Sequence, residues 1–299
     1  MASFHVLTDS TSDIPAEVRQ QYGINYFPME FSSSDGKSYV ASLDWQNIKP
    51  KDFYDSMRNG VRYKTSPVSG RTYAEILREH LSMGKDVIYI ACSTALSNSI
   101  KTAYEVRDMI KEEFPERKVI CIDSLISGMA QGLLAIECAK MRDDGKTIEE
   151  CEQWIEDNKL FFNQCSTAEN LTYLKDAGRV TASSAFFGNL FAVKPIIISD
   201  TMGQNLAVRK VKGRKSSFAE IANQVSQYIV SPGKQTIWVG HADCEADADI
   251  LVADLKAKIP DANIKKYIIG PIVGASVGPG MLIVNYKGRH KNEQISGQI

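Results

Sequence analysis

Residues 86–92 read DVIYIAC, and this near-continuous apolar run constrains the fold more than any other segment. A strand that is apolar at successive positions is buried on both faces, which is the situation of a central strand in a parallel sheet covered by helices. The run is far too short to span a bilayer. Its neighbours fit the same architecture. Residues 4–8 and 118–123 are further strand-like runs. Residues 51–59, 69–81, 102–114 and 127–141 read as helices, with Tyr73, Ile76, Leu77 and Leu81 on one face of the second. Asp13 before Ile14-Pro15 marks a helix start, residues 25–33 look extended, and Asp35-Gly36 makes a hairpin turn. Thr147-Ile148-Glu149-Glu150 is a capping box in front of an apolar stripe of Ile148, Cys151 and Ile155. Strands alternating with helices predict a three-layer α/β domain with a mainly parallel sheet over residues 1–159.

Residues 160–299 have a different texture. Residues 191–199 and 204–212 read as strands joined around Asp200-Thr201-Met202-Gly203. Helices are expected over 218–229 and 245–258, and strands over 237–240, 264–269 and 281–286. This predicts an α+β domain, with helices on one face of a mostly antiparallel sheet.

Composition excludes several functions. With 35 basic and 36 acidic residues the net charge is −1, so no global basic field draws nucleic acid or an anionic membrane. Residues 1–6 lack a signal-peptide pattern, and a cytoplasmic location without membrane insertion is expected. Cys92, Cys121, Cys138, Cys151, Cys165 and Cys244 include no C-x-x-C pair, and they read as buried free thiols of a reducing compartment.

Ligands of parallel α/β sheets bind beyond the C-terminal ends of the strands. Three such ends carry hydroxyls and acids: Asp9-Ser10-Thr11-Ser12, residues 93–99 (STALSNS) and Asp123-Ser124. A fourth group, Thr65-Ser66-Pro67-Val68-Ser69, leads into a helix. Hydroxyls and free backbone N–H groups suit a carboxylate or phosphate without a metal. Ser69 is explained as a helix cap, whereas Thr65, Ser93 and Ser97 together point to a ligand. The glycine-rich residues 270–280 (GPIVGASVGPG) are expected to form a shaped loop that approaches a ligand closely. They lack the P-loop pattern and are not expected to open a helix. Arg209, Lys210, Lys212, Arg214 and Lys215 make either a solvated hairpin edge or a docking patch for an acidic partner or phosphorylated ligand. Arg179 either reaches an anion or forms a surface pair. Residues 241–249 (HADCEADAD) read as a strand end and a helix cap rather than a metal site. Neither H-E-x-x-H nor G-x-S-x-G occurs.

Seven segments in order carry a resemblance over nearly the whole chain. They are LTDSTSDIP (7–15), TSPVSG (65–70), STALSNS (93–99), IDSLISGMAQGLL (122–134), LKDAGRV (174–180), KPIIISDTMG (194–203) and GPIVGASVGPG (270–280). With these the chain resembles the DegV family of bacterial fatty-acid-binding proteins. The resemblance implies a two-domain fold with a long-chain fatty acid between the domains. It implies that the carboxylate is held by Thr65 and Ser97, with Ser93 close by, and Ser66 and Ser276 complete the hydroxyl set. It further implies a non-catalytic subunit, with no cofactor beyond the bound fatty acid, that presents it to a separate kinase for acyl-phosphate synthesis. Arg179, Arg209, Lys212 and Arg214 are then candidate anion or partner contacts. The family's glycine-rich loop carries a Thr-His pair where this chain has Ala275-Ser276. The alternative is an enzyme acting on a phosphorylated or carboxylated small molecule, with Asp9 or Asp123 as base or nucleophile.

Overall fold

A computed structural model describes residues 4–169, 171–181 and 193–297. The DVIYIAC segment forms β6 (Asp86–Ala91) in the middle of a four-stranded sheet. Its partners are β1 (Phe4–Asp9), β2 (Ile24–Phe27) and β7 (Val119–Asp123), in the order β2-β1-β6-β7, and every pair is parallel. Helices α3 (Gly70–Ser82) and α4 (Ser99–Glu113) pack together on one side. On the other lie α5 (Gly128–Asp143) and α6 (Ile148–Asn158). Val87 to Ala91 are therefore buried on alternating faces without a break. Ser69 caps α3 by accepting from the Thr72 N–H, and Thr147 and Glu150 complete both arms of the capping box of α6.

The second sheet has six strands: β8 (Phe162–Thr167), β9 (Val193–Ser199), β10 (Asn205–Lys212), β11 (Thr236–His241), β12 (Asn263–Ile268) and β13 (Leu282–Lys287). Their order is β10-β9-β8-β13-β11-β12, and only β11 and β12 run parallel. Helices α8 (Arg214–Tyr228) and α9 (Glu245–Lys258) cover its outer face, where Val239, Val284 and Ile198 meet Phe218, Ile221 and Leu251. The intervening positions Trp238, Ile283 and Ile197 point the other way, into the core shared with the parallel sheet. Helix α5 contacts both sheets, so it is buried nearly all round. Its Ala-, Gly- and Leu-rich sequence suits that position, where no polar face is needed. A Cβ on its Gly132 would lie 2.7 Å from Ile14 and 2.8 Å from the Ser12 carbonyl, so only glycine lets the loop after β1 come this close.

Three smaller strands, β3 (Glu30–Ser33), β4 (Ser38–Val40) and β5 (Tyr63–Ser66), form an antiparallel sheet ordered β4-β3-β5. Helices α1 (Ala16–Gln21), α2 (Pro50–Arg58), α7 (Thr172–Ala177), α10 (Pro271–Val277) and α11 (Lys291–Ser296) complete the described elements. One expectation needs correction. The glycine-rich segment is not a loop throughout, since it opens α10. Pro271 is preset for the first helical position, and Gly278, at φ 75°, ends the helix after two turns. Residues 65–69 lead into α3 as expected, with Thr65 and Ser66 at the end of β5 and Ser69 as the helix cap. The expected strand start at residues 191 and 192 lies outside the described residues. Among the described residues no helix is long and apolar enough to cross a membrane.

Candidate functional site

The loop after β6, strand β5 and helix α10 converge at one edge of the parallel sheet. Helix α10 packs on β5, α2 and α7, which brings a segment distant in sequence against Thr65. The approach depends on Gly274. A Cβ there would sit 2.5 Å from the Tyr54 hydroxyl oxygen and 3.1 Å from the Phe53 ring. The Tyr54 hydroxyl in turn donates to the Ile269 carbonyl at 2.7 Å, pinning the chain just before α10. Gly274→Val is expected to cost about 1–3 kcal/mol of stability through overpacking. Urea denaturation checks this, and an unchanged midpoint would remove the close-packing argument.

Around this junction lies a cavity of about 100 Å³. Its polar lining includes Thr65, Ser97, Ser276, Arg179 and Thr11, and its apolar wall includes Met29, Leu96, Ile272 and Val277. Thr65, Arg179 and Ser276 also line an adjoining outer space of about 430 Å³ bordered by Arg62 and Tyr173. The structure thus gathers four sequence candidates, Thr65, Ser97, Ser276 and Arg179, around one opening.

Ser97 is set by its own loop. Its hydroxyl lies 3.1 Å from the Ser99 hydroxyl and accepts from the Ser99 N–H, while Ser99 accepts from Val68 N–H on the segment that follows Thr65. Arg179 is exposed but anchored, donating Nε–H to the Leu96 carbonyl at 3.1 Å and Nη1–H to the Ala177 carbonyl. Its Nη2 group has no hydrogen-bond partner among the described residues, and among them one edge of the guanidinium is open to an anion. Cys92 also lines the cavity, but burial, with the charge of Asp9 adding to it, pushes its thiol well up, so it stays protonated rather than nucleophilic.

The other candidates lie elsewhere. Ser66 follows Thr65 on β5 and is exposed on the opposite face, as strand alternation requires. Ser93 is fully buried beneath the β9–β10 hairpin, where its Oγ lies within 2.1 Å of the place a Cβ on Gly203 would occupy. Arg209 pairs with Glu220. Arg214 is held by Asp247 at 3.0 Å, Glu169 at 3.3 Å and the Gly280 carbonyl at 2.5 Å. Of the basic run this leaves Lys212 and Lys215 exposed without a carboxylate partner among the described residues.

Both acids of the alternative reading are occupied. Asp9 is fully buried and accepts from the Thr11 N–H, the Tyr89 hydroxyl and the Cys92 N–H at 2.8–3.0 Å. Asp123 accepts from the Thr94 and Leu125 N–H groups and from the Thr94 hydroxyl. These bonds shape the loops at the strand ends. One acid was not singled out by its sequence context as a site group: Asp13. It sits at φ 49° under Gly270, where burial and the charge of Asp9 push its carboxyl well above the usual range against the opposing Gly270 N–H. Among the described residues no cluster of three or more His, Cys, Asp or Glu could hold a metal.

The family model described as "Uncharacterised protein, DegV family" matches residues 3–287. The chain belongs to the DegV family. A DegV domain-containing protein of Clostridium perfringens is 32% identical over 97% of this chain and 99% of its own. Among solved structures, a DegV lipid-binding protein from Thermotoga maritima superposes with a TM-score of 0.83 at 24% identity, covering 97% of this chain and 99% of its own. DegV of Bacillus subtilis, described as a fatty-acid-binding protein, gives 0.80 at 25% identity, covering 95% and 99%. This DegV-family chain shares their mixed α/β fold.

Proposed function

We propose that this DegV-family protein binds one long-chain fatty acid in the cytoplasm, in the cleft between a domain of residues 1–159 and one of residues 160–299. The observation that carries the reading is the convergence of Thr65, Ser97, Ser276 and the open edge of Arg179 on one cavity with an apolar wall. The relatives described as lipid- or fatty-acid-binding support it. Hydroxyls orient the carboxylate, and Arg179 supplies the cation that the family histidine would otherwise provide. The tail contributes most of the affinity, at about 0.8 kcal/mol per buried methylene before the cost of immobilising it. A long chain needs more room than about 100 Å³. The wall of Met29, Leu96, Ile272 and Val277 therefore parts on binding, or the tail extends into the outer space.

The protein acts as a carrier rather than an enzyme, and presents the carboxylate to a separate kinase. There a carboxylate oxygen attacks the γ-phosphorus of ATP, forming the acyl phosphate and releasing ADP. The exposed Lys212 and Lys215 are the remaining part of the basic run that such a partner could meet. Native mass spectrometry of the purified protein is expected to give one fatty acid per chain, and delipidated protein is expected to take up palmitate or oleate at one-to-one stoichiometry. Protein that is empty as purified and ignores both acids would overturn the reading.

A further inference from the structure

A second cavity, of about 440 Å³, lies away from the hydroxyl cleft and shares no lining residue with it. Helices α1 and α5 form one wall, and β11, β12 and the end of β13 form the other. This volume falls within the roughly 300–1,000 Å³ typical of small-ligand sites. Its chemistry has two parts. Tyr22, Phe162, Trp238 and Tyr267 give it an aromatic interior, with the Trp238 and Tyr267 rings 5.0 Å apart at 65°. Lys140, Lys234, Lys265 and Lys287 line it with one carboxylate, Glu137, which already pairs with Lys140 at 2.6 Å, and the charge of Glu17 on α1 reaches Tyr267.

The remaining three lysines have no carboxylate partner among the described residues. Lys287 instead rests over the Trp154 and Phe162 rings, at 5.1 and 5.8 Å. The wall that carries it is rigid, because Gln235 accepts from the Lys287 N–H and donates to the Val230 and Lys287 carbonyls. In a chain with a net charge of −1, three uncompensated ammonium groups at one concavity form a local positive field. A single carboxylate would leave most of that charge unanswered, whereas a phosphate or diphosphate answers it. The ring-lined interior suits a flat aromatic body better than a polymethylene chain.

We propose that this cavity binds an aromatic phosphate of the size of a nucleoside mono- or diphosphate, at a site separate from the hydroxyl cleft. The phosphate lies among Lys234, Lys265 and Lys287, and the base lies against Tyr22 and Tyr267. Because the ligand would touch α1 and α5 on one side and the six-stranded sheet on the other, its binding also stabilises their contact.

Isothermal titration calorimetry of the full chain with ADP, adenosine, inorganic pyrophosphate and palmitate tests this. ADP is expected to bind saturably, at least tenfold more tightly than adenosine or pyrophosphate. Lys234→Glu combined with Lys265→Glu is expected to weaken ADP at least tenfold and leave palmitate unchanged, and Ser97→Ala is expected to leave ADP unchanged. Absence of saturable ADP binding, or equal binding by the double variant, would overturn the site. Pyrophosphate binding as tightly as ADP would overturn the aromatic ligand class. Competition of palmitate with ADP, with both weakened by the double variant, would make the cavity part of the fatty-acid site instead.

Discussion

Arg179→Ala is expected to lower the affinity for palmitate by roughly 10- to 150-fold, the equivalent of about 1.5–3 kcal/mol for a hydrogen bond to a charged group, and Arg179→Glu is expected to lower it further. The size follows from geometry. The guanidinium is already oriented by the Leu96 and Ala177 carbonyls, so little side-chain entropy remains to be lost when a carboxylate arrives. The hydroxyls around it are neutral donors, and Ser97 already shares its hydroxyl with Ser99. Thr65→Ala or Ser97→Ala alone is therefore expected to cost less, about 0.5–1.5 kcal/mol. Lysine at position 179 restores charge but not the two carbonyl anchors, so Arg179→Lys recovers only part of the loss. Titration of delipidated protein with a fluorescent fatty acid reads all five variants, with urea midpoints to verify that each is folded. Wild-type affinity in Arg179→Glu would show that the acid head group lies elsewhere.

The architecture was largely legible because its signals are apolar. DVIYIAC has no reading other than a doubly buried strand, and the capping box of α6 and the cap at Ser69 stand where their residues place them. Central strand β8 was missed because its sequence, FNQCST, is polar although all six residues are buried. Asn163 donates to the Phe161 and Arg289 carbonyls, Gln164 to Asn205, and Ser166 to the Ile197 carbonyl at 3.3 Å. All of those partners but the Phe161 carbonyl come from tertiary contacts, which no local pattern reveals. The site divides the same way. Hydroxyl types at strand ends marked the neighbourhood, but strand alternation that turns Ser66 out, the hairpin that seals Ser93, and the carboxylates that absorb Arg209 and Arg214 depend on the assembled fold. The helix in residues 271–277 was masked by the flanking Gly270 and Gly278 and by Gly274, which lowers helix propensity but is required here for close packing against Phe53 and Tyr54.

Lys291 gives the second large effect. Its side chain is fully buried on α11, and its Nζ donates to the Leu125 carbonyl at 2.7 Å. Burial lowers its pKa from 10.5 to about 7; Asp200 and Asp123 oppose that shift, and Lys159 adds to it. Between pH 7 and 10.5 the unfolded chain holds this proton while the native chain has released it. Stability from this group therefore rises with pH across that window, and below pH 7 the native state bears the full cost of a buried ammonium. At 1.36 kcal/mol per pH unit the full span is worth roughly 4–5 kcal/mol. The thiols of Cys92, Cys121 and Cys165 are pushed up by burial and act in the opposite sense above about pH 8.5. The difference between two variants isolates the lysine. Lys291→Met keeps the apolar stem and loses both the charge and the bond to Leu125, which offsets about 1 kcal/mol of the gain. The variant is expected to be more stable than wild type by several kcal/mol at pH 6. The two stabilities are expected to converge as pH approaches 10. Urea unfolding at intervals from pH 6 to 9.5 measures the gap, and a gap that stays constant with pH would mean that Lys291 keeps its proton in the folded protein.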